Sequence, residues 1–301
     1  MHRPVRLLVA AVAVTAVTIS VGVGPVTAAP DRRHAGAESR KALSCPLQVL
    51  GVTADLHLTA RVMDKAVVTG EKQSGSALPF DPTALGYYSA MNITDGVRLR
   101  LDAVADDGQP RVVTVTDKVG RSTLGVTVAA MQQASFRPRL FADSIDYRVY
   151  TVSRSGALQR WFLTKEPNGD LHFTDRLKLG TGFDTLTALQ VASRQKWGGA
   201  WRDVLLATTS TGRLKEIVIP LATPKRLRTY TLAKTGYAGT TGLSLSYCQG
   251  KVSFSSVIAV DADAGTATWT TVKGTQHPKK AVTRLRGPAG VGEDWALHAI
   301  W

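Results

Sequence analysis

Apolar and polar residues alternate along most of this chain in short runs, and the runs repeat. Three segments align without gaps: VYTVSRSGALQRWFL from Val149, LLATTSTGRLKEIVI from Leu205 and IAVDADAGTATWTTV from Ile258. Each reads as an apolar strand, a polar turn centred on Gly156, Gly212 or Gly265, and a second strand whose apolar residues recur at a spacing near two. That spacing is the strand period, because successive side chains of an extended chain point to opposite faces. Gly or Asp in the turn supplies the backbone freedom a hairpin needs. Two weaker copies lie upstream: VLGVTADLHLTARV from Val49, with Leu56 at the glycine position beside Asp55, and LDAVADDGQPRVVTV from Leu101, with Gly108. The five anchors at 56, 108, 156, 212 and 265 are 52, 48, 56 and 53 residues apart. A second mark, a glycine-aromatic phrase, recurs at Gly86-Tyr87-Tyr88, Gly182-Phe183-Asp184 and Gly236-Tyr237-Ala238, with Val291 in the aromatic place at Gly290-Val291-Gly292.

A unit of roughly 50 residues holding about four short strands is the pattern of a propeller blade. Segments with a helical 3.6-residue period are scarce, and no long helices alternate with strands as an α/β fold requires. The expected fold class is all-β, a five-bladed β-propeller over residues 44–301, and a pair of β-sandwiches is the alternative.

The phrases VYTVSRSGALQRWFL and LKLGTGFDTLTAL, with LLATTSTGRLKEI and LAKTGYAGTTGL, resemble the blade pattern of tachylectin-like propellers over about 146–272. The resemblance implies five blades that bind N-acetylated amino sugars between them. It makes Phe183 and Tyr237 candidate ligand contacts, at the place where that family carries Trp.

The N-terminus has the pattern of a signal peptide. Arg3 and Arg6 precede an apolar run from Leu7 to Ile19, Gly24-Pro25 breaks it, and Val26-Thr27-Ala28 offers small residues for cleavage. Residues 1–28 are expected to be removed, residues 29–43 to form a flexible leader, and the protein to be secreted with no membrane span left. The formal charge falls from +14 to +12 on cleavage, since residues 1–28 hold two arginines and no acid. Cys45 and Cys248 are the two cysteines of this expected export, which points to one disulfide, with two free thiols as the alternative. In a closed ring the first and fifth repeats are neighbours, so the bond would clip the closure.

Candidate chemistry is sparse. His57, His172, His277 and His298 stand outside any nucleophile phrase, and no Gly-x-Ser-x-Gly, His-Glu-x-x-His, Cys-x-x-Cys or phosphate-loop motif occurs. Asp261-Ala-Asp263-Ala-Gly265 coincides with a hairpin turn and lacks the acid that closes a calcium loop. The expectation is therefore no catalytic residue, no metal and no cofactor. The basic residues are dispersed, which suits weak attraction to anionic envelope polymers better than nucleic-acid binding. The remaining site-like cluster is Trp197-Gly-Gly-Ala-Trp201, read as a loop whose indoles could stack on a sugar ring. The first function class is thus an exported, lectin-like binding module for a glycan or envelope polymer. The second is a structural or protein-interaction propeller, and a secreted hydrolase comes third.

Overall fold

The computed structural model describes residues 46–64, 66–131, 137–143, 147–165, 171–248, 254–274, 276–277, 280–281, 284–291 and 295–297. The expected signal peptide, the leader, Cys45 and the side chain of Cys248 lie outside them.

The described residues form strands with a single short 3₁₀ turn at Pro224–Arg226. The first sheet holds β1 (Pro46–Val52), β2 (His57–Asp64) and β3 (Val67–Ala77). The second holds β4 (Pro82–Ile93), β5 (Gly96–Ala105), β6 (Pro110–Lys118) and β7 (Thr123–Ala130). The third holds β8 (Leu140–Asp143), β9 (Arg148–Val152), β10 (Leu158–Lys165) and β11 (Leu171–Gly180). The fourth holds β12 (Leu186–Trp197), β13 (Ala200–Thr209), β14 (Leu214–Pro220) and β15 (Arg228–Ala233). The fifth holds β16 (Gly242–Cys248), β17 (Phe254–Asp261), β18 (Thr266–Lys273) and β21 (Arg284–Gly290), with the short pair β19 (Gln276–His277) and β20 (Lys280–Ala281) between the last two. Within each sheet consecutive strands pair antiparallel. The first and second sheets are also stitched at their outer edges, where β3 runs parallel to β7 at Gln73↔Thr123 and Ser74↔Leu124.

Five apolar clusters each join two consecutive sheets, and this cyclic order establishes the five-bladed propeller. Leu50 and Val52 of blade 1 meet Leu101 and Val113 of blade 2. Val104 of blade 2 meets Phe141 and Val149 of blade 3. Tyr150 and Val152 meet Leu205 and Ala207 of blade 4. Leu206 meets Val257 and Ala259 of blade 5. The fifth cluster closes the circle: Ile258 and Val260 pack with Leu47 and Val49 of blade 1, around Trp295 and Leu297. Two stacked sandwiches have no such cycle, so that alternative is set aside. The arrangement explains why runs such as Val204-Leu-Leu-Ala207 are continuously apolar: each central strand is buried on both faces, one face per neighbouring blade.

The anchors at 108, 156, 212 and 265 turn between the second and third strands of their blades, and Leu56 turns between β1 and β2 of blade 1. The segment entering the next blade tucks against the same turn, with Phe183 N–H donating to Gly156 O at 3.1 Å and Tyr237 N–H donating to Gly212 O at 3.1 Å. Gly156 has φ +72°, and a Cβ there would sit 2.7 Å from Asp184 N, so glycine is required. Leu56 adopts φ 64° at the equivalent place. The glycine-aromatic phrase at Gly86 departs from expectation. Gly86 lies inside β4, paired with Asp102, and Leu78 makes the equivalent contact, its N–H donating to Leu56 O at 2.8 Å. A glycine beside an aromatic residue fits a strand as well as a turn, so the pair alone does not distinguish them.

Candidate functional site

The two ends of the ring differ. One, here the anchor end, carries the anchor turns and the links between blades. The other, the tip end, carries the turns from first to second and from third to fourth strand in blades 2–5 and the turn from β2 to β3 in blade 1. At the anchor end a cavity of about 40 Å³ lies where β4, β8, β12 and β16 converge, lined by Thr83, Arg139, Leu189 and Leu243 among others. It has room for a few waters. Arg139 spans it, donating from Nη2 to Phe183 O at 2.9 Å and from Nη1 to Leu186 O. Burial pushes its pKa below the ordinary arginine value, and the Asp184 carboxylate opposes that shift.

Phe183 and Tyr237 are both buried. Phe183 packs with Leu179 and Leu186, and Tyr237 lies among Leu214 and Leu243 with its hydroxyl 2.7 Å from Thr270 Oγ1. Each ring plugs the space behind an anchor turn.

Trp197 and Trp201 stand at the tip end of blade 4. The expected loop is a two-residue hairpin turn: Lys196 pairs with Trp201, Trp197 pairs with Ala200, and Gly198 and Gly199 between them have φ 54° and 81°. Two consecutive positive φ values match the twist of the flanking strands, which only residues such as glycine adopt cheaply. The turn therefore holds the indoles in place, on opposite faces of the blade. Trp197 is half-buried with the Arg202 guanidinium 5.4 Å from its ring centroid, on the side of Leu206 and blade 5. Trp201 is 49% exposed, with Lys196 Nζ 5.8 Å from its ring, on the side of Asp203, Leu205 and blade 3.

On that side the groove between blades 3 and 4 holds a polar cluster that alternation and spacing did not reveal. Asp203 is completely buried. Arg194 donates to it from Nε to Oδ1 at 2.7 Å and from Nη2 to Oδ2 at 3.2 Å, and Tyr150 Oη donates to Oδ2 at 2.6 Å across the blade interface. Burial first, then the Asp203 charge and hydrogen bond, push the Tyr150 phenol well above its usual pKa, while Arg160 and Arg148 oppose the shift. Arg148 and Arg160 both lie over the Phe162 ring, at 5.5 and 5.1 Å from its centroid. Arg160 Nε is buried and has no hydrogen-bond partner among the described residues. The groove thus combines a half-exposed indole, a cationic wall and a carboxylate locked in charge-assisted hydrogen bonds.

A scan against protein-family models finds no match, and a search of curated proteins finds none. Among solved structures the chain is similar to SapL1 lectin in complex with alpha methyl fucoside, with TM-score 0.42 and 11% identity over 81% of each chain. It is also similar to CoXyl43, a GH43 beta-xylosidase/alpha-arabinofuranosidase from a compost microbial metagenome in complex with xylotriose, with TM-score 0.41 and 8% identity over 80% of this chain and 94% of that one.

Proposed function

We propose that the protein is a non-catalytic, exported binding module for a saccharide or anionic envelope polymer, received in the groove between blades 3 and 4. The observation that carries this reading is Trp201 on the same strand face as the Arg194–Asp203–Tyr150 cluster, with Arg160 opposite. An indole face accepts the C–H face of a sugar ring, and guanidinium N–H groups donate to hydroxyl, carboxylate or phosphate oxygens. Asp203 supports binding rather than turnover, since both its oxygens are already engaged by Arg194 and Tyr150. The charged, apolar and small-residue pattern of residues 1–28 supports an encounter outside the cell. N-terminal sequencing of the secreted protein is expected to begin at Ala29.

The test is a glycan-array screen of the chain from residue 44, followed by calorimetry with any saccharide retained. Trp201→Ala and Arg160→Ala should each weaken binding about tenfold, the loss of one hot-spot contact, with the melting temperature nearly unchanged. For an acidic polymer, affinity should also fall as salt rises, because exposed charges are screened within about 10 Å at 0.1 M. Undiminished binding in both variants would remove the groove from consideration.

A further inference from the structure

Among the described residues the exposed large apolar side chains are confined to one end of the ring. Val67 and Val68 follow the turn between β2 and β3, Met91 precedes the turn between β4 and β5, and Val119 occupies the turn between β6 and β7. Tyr147 precedes β9, and Trp201 follows the turn between β12 and β13. Every one of these turns belongs to the tip end. Val119 is 82% exposed and Met91 55%, degrees of exposure that leave most of each side chain in water. No large apolar residue is exposed at the anchor end among the described residues.

The described tip-end turns carry an excess of bases, whereas the anchor end carries both signs. The anchor-end turns and links carry Asp55, Asp81, Asp106, Asp107, Asp184 and Asp263 together with Arg137, Arg139, Arg154, Arg213 and Lys234, so the two signs nearly balance there. Among the described residues the tip-end turns carry one acid, Asp95, whose Oδ2 lies 2.8 Å from Lys118 Nζ, and three exposed bases, Arg121, Lys225 and Arg226. Lys118 and Arg121 bracket Val119, and Lys196 stands beside Trp201.

We infer that the tip end docks onto an anionic lipid surface. The apolar side chains sit on separate turns of four blades, so they form no single patch of the kind a globular partner covers. A planar target meets all the turns at once. Val and Met side chains suit shallow insertion, Trp and Tyr suit the headgroup level, and the surrounding Lys and Arg suit anionic headgroups. This is peripheral docking, and of the residues named for it only Trp201 also belongs to the proposed saccharide groove.

The experiment is co-sedimentation of the chain from residue 44, which contains all five clusters and omits the apolar N-terminus, with two kinds of vesicle. One is equal parts phosphatidylglycerol and phosphatidylcholine, and the other is phosphatidylcholine alone. The wild type should sediment with the anionic vesicles, much less with the neutral ones, and should be released at about 0.5 M salt. The double variant Met91→Glu with Val119→Glu should lower the bound fraction about tenfold while keeping the wild-type melting temperature. Both positions lie on blade 2, away from the groove, so this variant should keep any saccharide binding that Trp201→Ala weakens, which separates failure of one reading from failure of the other. Absence of wild-type binding to anionic vesicles, or equal binding by the double variant, would overturn the inference. So would a self-associated wild type that the double variant dissociates without any vesicle binding, since the tips would then serve a second copy of the chain.

Discussion

Asp102 shows how one side chain can set the pH response of this fold. It is 1% exposed on β5, and neither carboxyl oxygen has a hydrogen-bond partner among the described residues. Burial pushes its pKa up to about 7, against the restraining charge of Arg100. Its unfolded value is about 3.9, so the folded chain holds the extra proton between about pH 4 and 7. Stability is therefore full below the lower value and declines as pH rises through the upper one, by on the order of a few kcal/mol. Asp102→Asn should flatten that decline and leave the variant more stable than wild type at alkaline pH, as read by urea unfolding across the range. The opposite case is Asp203, equally buried but fully engaged. Asp203→Ala strands Arg194 and should cost about 3 kcal/mol, visible as a lower denaturant midpoint.

At the scale of the element, the blade-4 hairpin and the blade-1 edge are the informative pieces. Gly199 has φ 81° at the turn that separates Trp197 from Trp201. Gly199→Ala should cost about 1–2 kcal/mol, the penalty of a side chain in the left-handed region, and should weaken saccharide binding by moving Trp201. At the blade 5 and blade 1 boundary, Ser244 Oγ donates to Gln48 O at 3.4 Å. β16 runs from the anchor end to the tip end, whereas β1 runs into the anchor turn at Leu56, so β16 and β1 are antiparallel neighbours. Cys248 ends β16 toward the tip end, and Cys45 is the residue before Pro46, the first of β1, in the sequence. We propose that the two are bonded. Peptide mapping under non-reducing conditions should find the cross-link, and its reduction should lower the melting temperature, because a loop of some 200 residues regains its entropy in the unfolded chain.

The whole molecule is held by a cycle of interfaces, so the point of closure matters more than its size suggests. Trp295 is 1% exposed in the cluster between blades 5 and 1, donates from Nε1 to Val291 O at 2.7 Å, and lies under the Arg61 guanidinium at 4.8 Å. Trp295→Ala should cost about 3–5 kcal/mol, as a large aromatic removed from a packed core does. Because the lost contacts join the ends of the ring, its effect on a calorimetric melting transition should exceed that of Trp269→Ala, whose indole is only partly buried at the same interface.

The local pattern alone determined the repeating hairpins. Alternation with a period of two, interrupted by turn residues, is a property of neighbouring residues, so the anchors from Leu56 to Gly265 were legible without any knowledge of the fold. Leu56 is the clearest instance, because it holds a left-handed φ at a position that alignment with glycines had marked. The count of blades followed from the even spacing of those anchors. Tertiary structure decided what each face meets. Tyr150 and Asp203 are 53 residues apart and touch only because blades 3 and 4 are stacked, so no spacing rule could have paired them. Phe183 and Tyr237 stand beside glycines, as exposed turn residues often do, yet both are drawn behind the anchor turns by the packing of successive blades. Trp197 and Trp201 were visible as a cluster in sequence, but Trp197 pairs with Ala200, the chain neighbour of Trp201, so the two indoles must face opposite ways. Only the ring assigns one of those faces to blade 3, with its arginines, and the other to blade 5.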